Sequence, residues 1–186
     1  EAKQYGFASV CVHPYYIPLT KQLLADSEVK VCTVIGFPLG ANSSETKLTE
    51  TKLAIQEGAQ EIDMVINISA LTEGLYEYVR NEIEQIKNMC GDKILKVIIE
   101  TSYLTDEQKA KACQLCTKAG ANYVKTSTGF SDKGATVEDV KLMKKNIKSH
   151  MKVKASAGIR TYEDAVKMIE AGASRIGTSA GVKIVS

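Results

Sequence analysis

The stretch Ala119-Gly120-Ala121-Asn122-Tyr123-Val124-Lys125-Thr126-Ser127-Thr128-Gly129 contains the end of a helical pattern, a glycine and a short apolar run, in that order. A glycine after a helix suits the left-handed backbone of a helix C-terminus, so we predict that a strand follows at once. The same turn recurs at Glu57-Gly58-Ala59 and at Ala171-Gly172-Ala173, each time before another apolar run. The chain is therefore predicted to repeat a unit of helix, glycine turn and strand.

Strand-like apolar runs recur along the whole chain, at 7–12, 29–35, 61–66, 94–99, 123–126, 151–154 and 174–177. Helical patterns separate them, at 18–26, 43–57, 73–89, 105–119, 137–149 and 162–171. This alternation predicts parallel β/α units of an α/β protein. Seven strands are one short of a (β/α)8 TIM barrel, whose phosphate site usually follows its last two strands. We therefore expect a barrel without its first strand and with its final helix cut short.

A doubly wound open sheet is the alternative fold. It is disfavoured because no Gly-x-Gly-x-x-Gly follows the first strand and no P-loop lysine signature is present. We expect residues 1–186 to form one domain, because no linker or low-complexity stretch divides them.

Composition excludes several functional classes. The formal net charge of +2 comes from 24 basic and 22 acidic residues scattered along the chain, which predicts no nucleic-acid partner. No apolar run approaches the roughly 20 residues of a membrane span. Five cysteines without the spacing of a disulfide framework indicate a reducing compartment, so we expect a cytoplasmic protein. The Cys113-x-x-Cys116 motif lies inside a helical pattern and is interpreted as two packed thiols rather than a redox site.

Two lysines at equivalent positions carry the chemical prediction. Lys125 and Lys154 each stand near the C-terminal end of a strand, where barrel enzymes keep their active sites. A buried lysine is costly if it stays charged, and an amine nucleophile must be neutral. A second cation nearby lowers the pKa of the first, and Asp63 on another strand is suited to proton transfer. We predict Lys125, Lys154 and Asp63 as a catalytic set, with Lys96 as electrostatic support inside the barrel.

The loops after the last two strands are suited to phosphate. Gly158 and Arg160 in the first loop, and Gly177, Thr178 and Ser179 in the second, supply unhindered amides, hydroxyls and a helix start. Ordinary turn glycines and helix caps are the alternative interpretation. Neither histidine has a cysteine or a second histidine at ligand spacing, so no metal site is predicted.

The lysine segments 124–130 and 153–161, together with 9–14, 61–65 and 96–101, resemble the deoxyribose-phosphate aldolase family. The resemblance runs from end to end of the chain. It implies a β/α barrel and a lyase that reversibly cleaves 2-deoxy-D-ribose 5-phosphate to acetaldehyde and D-glyceraldehyde 3-phosphate in deoxyribonucleotide catabolism. It further implies no metal or other cofactor and a homodimer or higher homo-oligomer.

By the same resemblance, Lys125 is the Schiff-base lysine, Lys154 the lysine that lowers its pKa, and Asp63 the proton relay. Cys11 borders the substrate pocket. The full set of predicted substrate and phosphate contacts is Cys11, Lys96, Thr128, Gly129, Gly158, Ile159, Arg160, Gly177, Thr178 and Ser179.

Two positions depart from the family's pattern. Phe130 stands where some members carry a lysine beside the phosphate, and the family's first strand, with its aspartate near the substrate hydroxyl, has no counterpart before Glu1. Other functions that use the same features are another Schiff-base aldolase or transaldolase, a phosphosugar isomerase, and a non-catalytic phosphosugar-binding barrel. The lysine pair disfavours the last two, because neither needs an activated amine.

Overall fold

The computed structural model describes residues 1–186 and contains one sheet of seven parallel strands. The strands neighbour each other in chain order, with bounds β1 Ser9–Val12, β2 Lys30–Ile35, β3 Glu61–Val65, β4 Ile94–Ile98, β5 Tyr123–Lys125, β6 Lys152–Ser156 and β7 Arg175–Gly177. A doubly wound sheet reverses its order at a switch point, so this sequential order rules out the alternative fold. The predicted strands are confirmed to within two residues at each end.

Helices follow the strands on the outside of the sheet. They are α1 Ile17–Leu23, α2 Ser44–Glu57, α3 Ile68–Thr72, α4 Tyr76–Cys90, α5 Asp106–Lys118, α6 Val137–Lys145, α7 Tyr162–Glu170 and α8 Gly181–Val185, with 3₁₀ turns at Pro14–Tyr16 and Thr101–Tyr103. No helix is both long and apolar enough to cross a bilayer. The pattern at 73–89 corresponds to α4, whereas the short helix α3 was not predicted.

Local chemistry explains most helix boundaries. The side chains of Ser43, Thr105, Thr136 and Thr161 each accept the third backbone N–H of the helix that follows. At the other end, the three glycines of the repeated turn all adopt positive φ, as predicted. Because a residue with a Cβ is strained there, these glycines end the helices and return the chain to the sheet.

The sheet curls so that its first and last strands approach each other. Arg175 on β7 donates to Ser9 Oγ on β1 at 3.3 Å and to Glu61 Oε2 on β3 at 3.3 Å. A guanidinium that reaches across the strands in this way requires a strongly curved sheet of the β/α-barrel type. The predicted fold class is therefore confirmed, as a barrel-type sheet of seven strands.

Alternation along the strands separates two environments. Ile62, Met64 and Val124 belong to the hydrophobic cluster that packs against the helices. The residues that alternate with them along β3 and β5 point to the interior of the curl. The interior is charged. It holds five buried charged side chains from β3 to β6, namely Glu61, Asp63, Lys96, Lys125 and Lys154. A separate buried ion pair, Lys47–Glu82 at 2.9 Å, joins α2 to α4 on the outside.

Candidate active site

The two predicted lysines are direct neighbours in the sheet. Lys125 is the last residue of β5 and is the register partner of Lys154 in β6. In-register residues on adjacent strands point to the same side, so both side chains enter the interior of the curl. Their side chains are only 7% and 6% exposed, and that exposure opens into a cavity at the C-terminal end of the strands.

Both lysines bind the same oxygen of Asp63. Lys125 Nζ and Lys154 Nζ each lie 2.8 Å from Asp63 Oδ2, so the two nitrogens lie within twice that distance of each other. Asp63 itself is fully buried in β3, beneath the cavity. The three residues that the sequence predicts as catalytic are thus brought into one hydrogen-bonded cluster.

Lys96 supports this cluster from below. Its Nζ lies 2.7 Å from Asp63 Oδ1 and 2.7 Å from Glu61 Oε2, and the side chain has no exposed surface. It does not line the cavity, so the structure places it away from the predicted substrate contacts and in the interior position expected of electrostatic support. Arg175 pairs with Glu61 on the far side, a role that the sequence did not reveal.

The charges of the cluster perturb one another. Burial raises the pKa of Asp63, but the ammonium groups of Lys125, Lys154 and Lys96 outweigh it and hold that pKa well below its ordinary value of 3.8. Asp63 is therefore a carboxylate in the resting site. Burial lowers the pKa of Lys96, and the attraction of Asp63, Cys32 and Glu61 raises it by more.

Lys125 behaves differently from the expectation that its pKa is lowered. Burial does lower the pKa of this amine, but Asp63 at 2.8 Å opposes burial and the net direction is upward. The physical reason is that an anion lies between the two lysines, which the sequence pattern did not reveal. The resting site thus holds Lys125 as an ammonium paired with Asp63.

A cavity of about 580 Å³ lies above the lysines. All the predicted site residues line it except Asp63 and Lys96, namely Cys11, Lys125, Thr128, Gly129, Lys154, Gly158, Ile159, Arg160, Gly177, Thr178 and Ser179. They come from the ends of four strands and the loops that follow. One cavity thus contains both lysines and both glycine-containing loops.

The two terminal loops present free backbone donors on one side of this cavity. The N–H groups of Gly158, Ile159, Thr178 and Ser179 donate to no acceptor within the chain, and neither does that of Gly129. The Thr178 hydroxyl donates to the Ile159 carbonyl at 2.7 Å and ties the two loops together. Unpaired amides gathered around a polar cavity are suited to an anion such as phosphate.

Close packing brings the second loop against Lys154. A Cβ added to Gly177 would lie 2.9 Å from the Cβ of Ser156 and 3.0 Å from Cε of Lys154. The first separation is shorter than real Cβ contacts and the second is tighter than most of them, so a side chain at this position would have to displace Ser156 and the end of Lys154. The absence of a side chain at Gly177 lets the phosphate loop and the lysine share one end of the cavity.

Aromatic side chains form another part of the cavity lining. Phe37 packs edge to face against Phe130 with ring centroids 5.3 Å apart, and against His13 at 6.2 Å. Phe130 is 69% exposed and brings no charge to the cavity. The groups on the loops of this cavity that are suited to an anion are therefore the free backbone amides and the exposed Arg160.

Glu100 is a buried carboxylate that the sequence did not reveal as a loop anchor. Its Oε2 accepts the Thr128 N–H at 3.1 Å and the Thr128 hydroxyl, and its Oε1 accepts the Ser131 hydroxyl at 3.0 Å. Its backbone adopts a left-handed conformation, with φ of 50°. Glu100 therefore holds the loop after β5 against the cavity.

Two thiols lie beside Asp63. The Sγ atoms of Cys11 and Cys32 and a carboxylate oxygen of Asp63 lie within 4.8 Å of one another, a spacing that suits a small metal ion. Both Asp63 oxygens already accept from ammonium groups, so three cations surround any metal placed there. The donor set is therefore a poor fit for a divalent cation.

Cys113 and Cys116 are buried in α5, and burial raises the pKa of both thiols, as expected for packed helix residues.

Comparison with known proteins gives one consistent result. The model of the DeoC/LacD aldolase family matches residues 1–186. The chain is 59% identical over 188 residues to a deoxyribose-phosphate aldolase of Caldanaerobacter subterraneus, covering 100% of the chain and 81% of that relative. It is 60% identical over 186 residues to a deoxyribose-phosphate aldolase of Streptococcus suis, covering 100% of the chain and 84% of that relative.

Solved structures agree. The tetrameric deoxyribose phosphate aldolase of Aeropyrum pernix superposes with a TM-score of 0.88 at 37% identity, over 99% of this chain and 78% of that one.

Proposed function

The chain belongs to the DeoC/LacD family of aldolases, and from this premise we propose that it catalyses the deoxyribose-phosphate aldolase reaction. It cleaves 2-deoxy-D-ribose 5-phosphate reversibly into D-glyceraldehyde 3-phosphate and acetaldehyde. The observation that carries the mechanism is the single Asp63 oxygen shared by two lysines at the base of the cavity. That arrangement supplies an amine, a cation and a proton acceptor within hydrogen-bond reach.

Lys125 is the nucleophile in this proposal. The interior cluster holds four cations, Lys96, Lys125, Lys154 and Arg175, against two anions, Asp63 and Glu61. In the resting site Asp63 outweighs this excess of positive charge and keeps Lys125 protonated, so the neighbouring cations promote a neutral Lys125 only once a proton has moved onto Asp63. Asp63 accepts a proton from Lys125, and the neutral amine attacks the substrate aldehyde to give a carbinolamine.

Proton transfers then complete the reaction. Asp63, with its proton, protonates the carbinolamine hydroxyl, water leaves and the imine forms. In the cleavage direction, the substrate's 3-hydroxyl passes its proton through water to Asp63, the bond between C2 and C3 breaks to release D-glyceraldehyde 3-phosphate, and the electron pair of that bond neutralises the protonated imine to give the enamine of Lys125. The enamine gains a proton at carbon, and water releases acetaldehyde from Lys125. Lys154 remains an ammonium throughout and opposes protonation of its neighbour.

The phosphate end of the substrate binds to the free amides of the terminal loops. Binding energy at Gly158, Ile159, Thr178 and Ser179 is remote from the reacting carbon and orients it over Lys125. Arg160 adds positive charge at the mouth of the cavity. The aromatic side chains of Phe37 and Phe130 line the same cavity, where they limit water around the acetaldehyde unit.

Borohydride trapping tests the assignment of the nucleophile. Acetaldehyde and sodium borohydride should leave an ethyl group on Lys125, found by mass spectrometry of the digested protein. Lys125→Met should abolish both the trapped adduct and cleavage of the sugar phosphate, with kcat at least roughly 10³-fold lower. The exposed lysine variant Lys141→Met is the matched control and should retain both. A stable adduct on Lys154 or Lys96 in the native protein would refute the assignment.

We further propose that the protein forms a homo-oligomer and is located in the cytoplasm. Large apolar side chains are exposed on the segments that follow β1 and β2, with Tyr15 86%, Leu23 61% and Leu39 69% exposed, which supports a homo-oligomer of two or more copies. All five cysteines are free thiols, which supports a reducing, cytoplasmic location.

A further inference from the structure

Cys11 and Cys32 form a pair of thiols that the proposed aldol chemistry does not use. They are register partners on β1 and β2, and their Sγ atoms lie within 4.8 Å of each other. We propose that this pair is an oxidisable dithiol, which a small hydroperoxide converts to a disulfide that inactivates the lysine site until a thiol reductant reopens it.

The two sulfurs differ in access. Cys11 is exposed and lines the cavity, whereas Cys32 is fully buried behind it. A small oxidant that enters the substrate cavity therefore meets Cys11 first. The remaining thiols, Cys90, Cys113 and Cys116, are buried in the helical layer and do not line the cavity.

The environment also makes Cys11 the more reactive sulfur. The adjacent Cys32 thiol lowers the pKa of Cys11 against the opposing effect of burial, with Lys154 and Lys125 contributing in the same direction. The thiolate is the form that reacts with peroxide. By contrast, burial raises the pKa of Cys90 to about 11 and that of Cys113 to about 12, so those thiols stay protonated.

The chemistry balances with one hydroperoxide. The Cys11 thiolate attacks a peroxide oxygen, the O–O bond breaks, hydroxide leaves and Cys11 becomes a sulfenic acid. Cys32, whose thiol donates to Asp63 Oδ1 at 3.3 Å, loses its proton along that hydrogen bond and attacks the Cys11 sulfur. The S–S bond forms as the sulfenic oxygen leaves as water. Two thiols are oxidised, and hydrogen peroxide is reduced to two waters.

Closing the bond disturbs the catalytic cluster. The spacing of neighbouring strands, about 4.8 Å, lies within the Cα separation that a disulfide spans, but the Cβ atoms must come within about 3.8 Å, so the two side chains and their Cβ atoms must turn toward each other by about 1 Å. The Cys32 hydrogen bond to Asp63 is lost at the same time. Misplacement of about 1 Å near reacting groups lowers activity by up to roughly 100-fold. The strain also favours reduction of the bond by a dithiol.

A peptide map under non-reducing conditions tests the proposal. The native chain is treated with hydrogen peroxide, alkylated and digested with trypsin, which separates Cys11 in peptide 4–21 from Cys32 in peptide 31–47. We expect these two peptides to be joined, and dithiothreitol to separate them and restore activity. Cys32→Ala should show no linked peptide and should stop at a Cys11 sulfenic acid that dimedone traps. Cys90→Ala should behave like the native chain, each variant being compared with its own untreated sample.

Three results would overturn the proposal. One is Cys11 oxidised to sulfinic acid while peptide 31–47 stays free in the native chain. Another is a linked pair that keeps full activity, and the third is equal, dithiothreitol-reversible inactivation of native and Cys32→Ala protein. Because linkage is read by mass alone, it does not depend on the proposed aldolase function. Linked peptides in a protein without aldolase activity would refute that function and support the dithiol.

Discussion

Lys154→Met isolates the electrostatic part of the proposed mechanism. Methionine keeps most of the length and apolar stem of lysine but removes the ammonium group that shares Asp63 Oδ2 with Lys125. The loss of a neighbouring cation favours the charged form of Lys125, so the pKa of that amine should rise further. Since the reaction requires the neutral amine, activity should fall at neutral pH and return in part as the pH increases.

Because both nitrogens bind the same oxygen, they lie close together, and this short distance sets the size of the electrostatic repulsion between the two lysines. At about 5 Å and an effective dielectric constant of about 20, Coulomb's law gives a repulsion of about 3 kcal/mol. This energy corresponds to roughly a 100-fold change in the neutral fraction of Lys125. We therefore expect kcat/KM to fall by about 10²-fold near pH 7.

The assay is the pH dependence of kcat/KM for cleavage of 2-deoxy-D-ribose 5-phosphate, coupled to detection of glyceraldehyde 3-phosphate. The acidic limb of the profile should move to higher pH in Lys154→Met, and the borohydride adduct should still form on Lys125. Lys154→Arg, which keeps the charge, should move the limb less. Lys141→Met is the surface control. An equal loss of activity at every pH, with an unmoved acidic limb, would refute the electrostatic role.

Two further substitutions test the residues around the lysines. Asp63→Asn removes the only carboxylate that contacts all three lysines, so it should lower kcat by roughly 10²–10⁴-fold and the free energy of unfolding in urea by about 3–5 kcal/mol at pH 7. Because the pKa of Asp63 is depressed below 3.8, this difference in stability should be complete above about pH 4 and shrink as the pH falls, and a difference that grows on acidification would contradict it. Glu100→Gln weakens the charge-assisted bonds to Thr128 and Ser131, so KM for the sugar phosphate should rise roughly 10-fold in steady-state kinetics while kcat changes little. Glu107→Gln, an exposed change on α5, is its control, and a lower kcat at unchanged KM would contradict the anchoring role.

Periodic features of the chain were predictable from sequence. Strand and helix alternate with clear glycine turns, so the elements and their parallel order follow from local pattern. Lys125 and Lys154 stand at matching places in consecutive units, and matching places in a parallel sheet become register neighbours. The contact of Asp63 with these lysines was harder to predict, because its strand, β3, lies two positions away from β5 in the sheet.

Other features depend on tertiary geometry that no local pattern reports. The Arg175–Glu61 pair forms only because the sheet curls, and Glu100 becomes an anchor only when two loops meet. The upward direction of the Lys125 pKa follows from an anion between the lysines, whereas sequence gave only their proximity to each other. The short helix α3 was not predicted because it is too short to show a helical pattern in the sequence. Asn67 caps its start and Gly74 ends it within two turns.

The charged interior of the curled sheet has a consequence for protein engineering. Replacing a buried ion cluster by well-packed apolar residues is often stabilising, by about 1–4 kcal/mol. Selection of heat-resistant variants by melting temperature alone should therefore favour apolar substitutions at the buried charged positions, and such variants would lack the amine that the proposed reaction needs. Turnover has to be measured in the same round of selection, because the same few buried positions affect both thermal stability and catalytic activity.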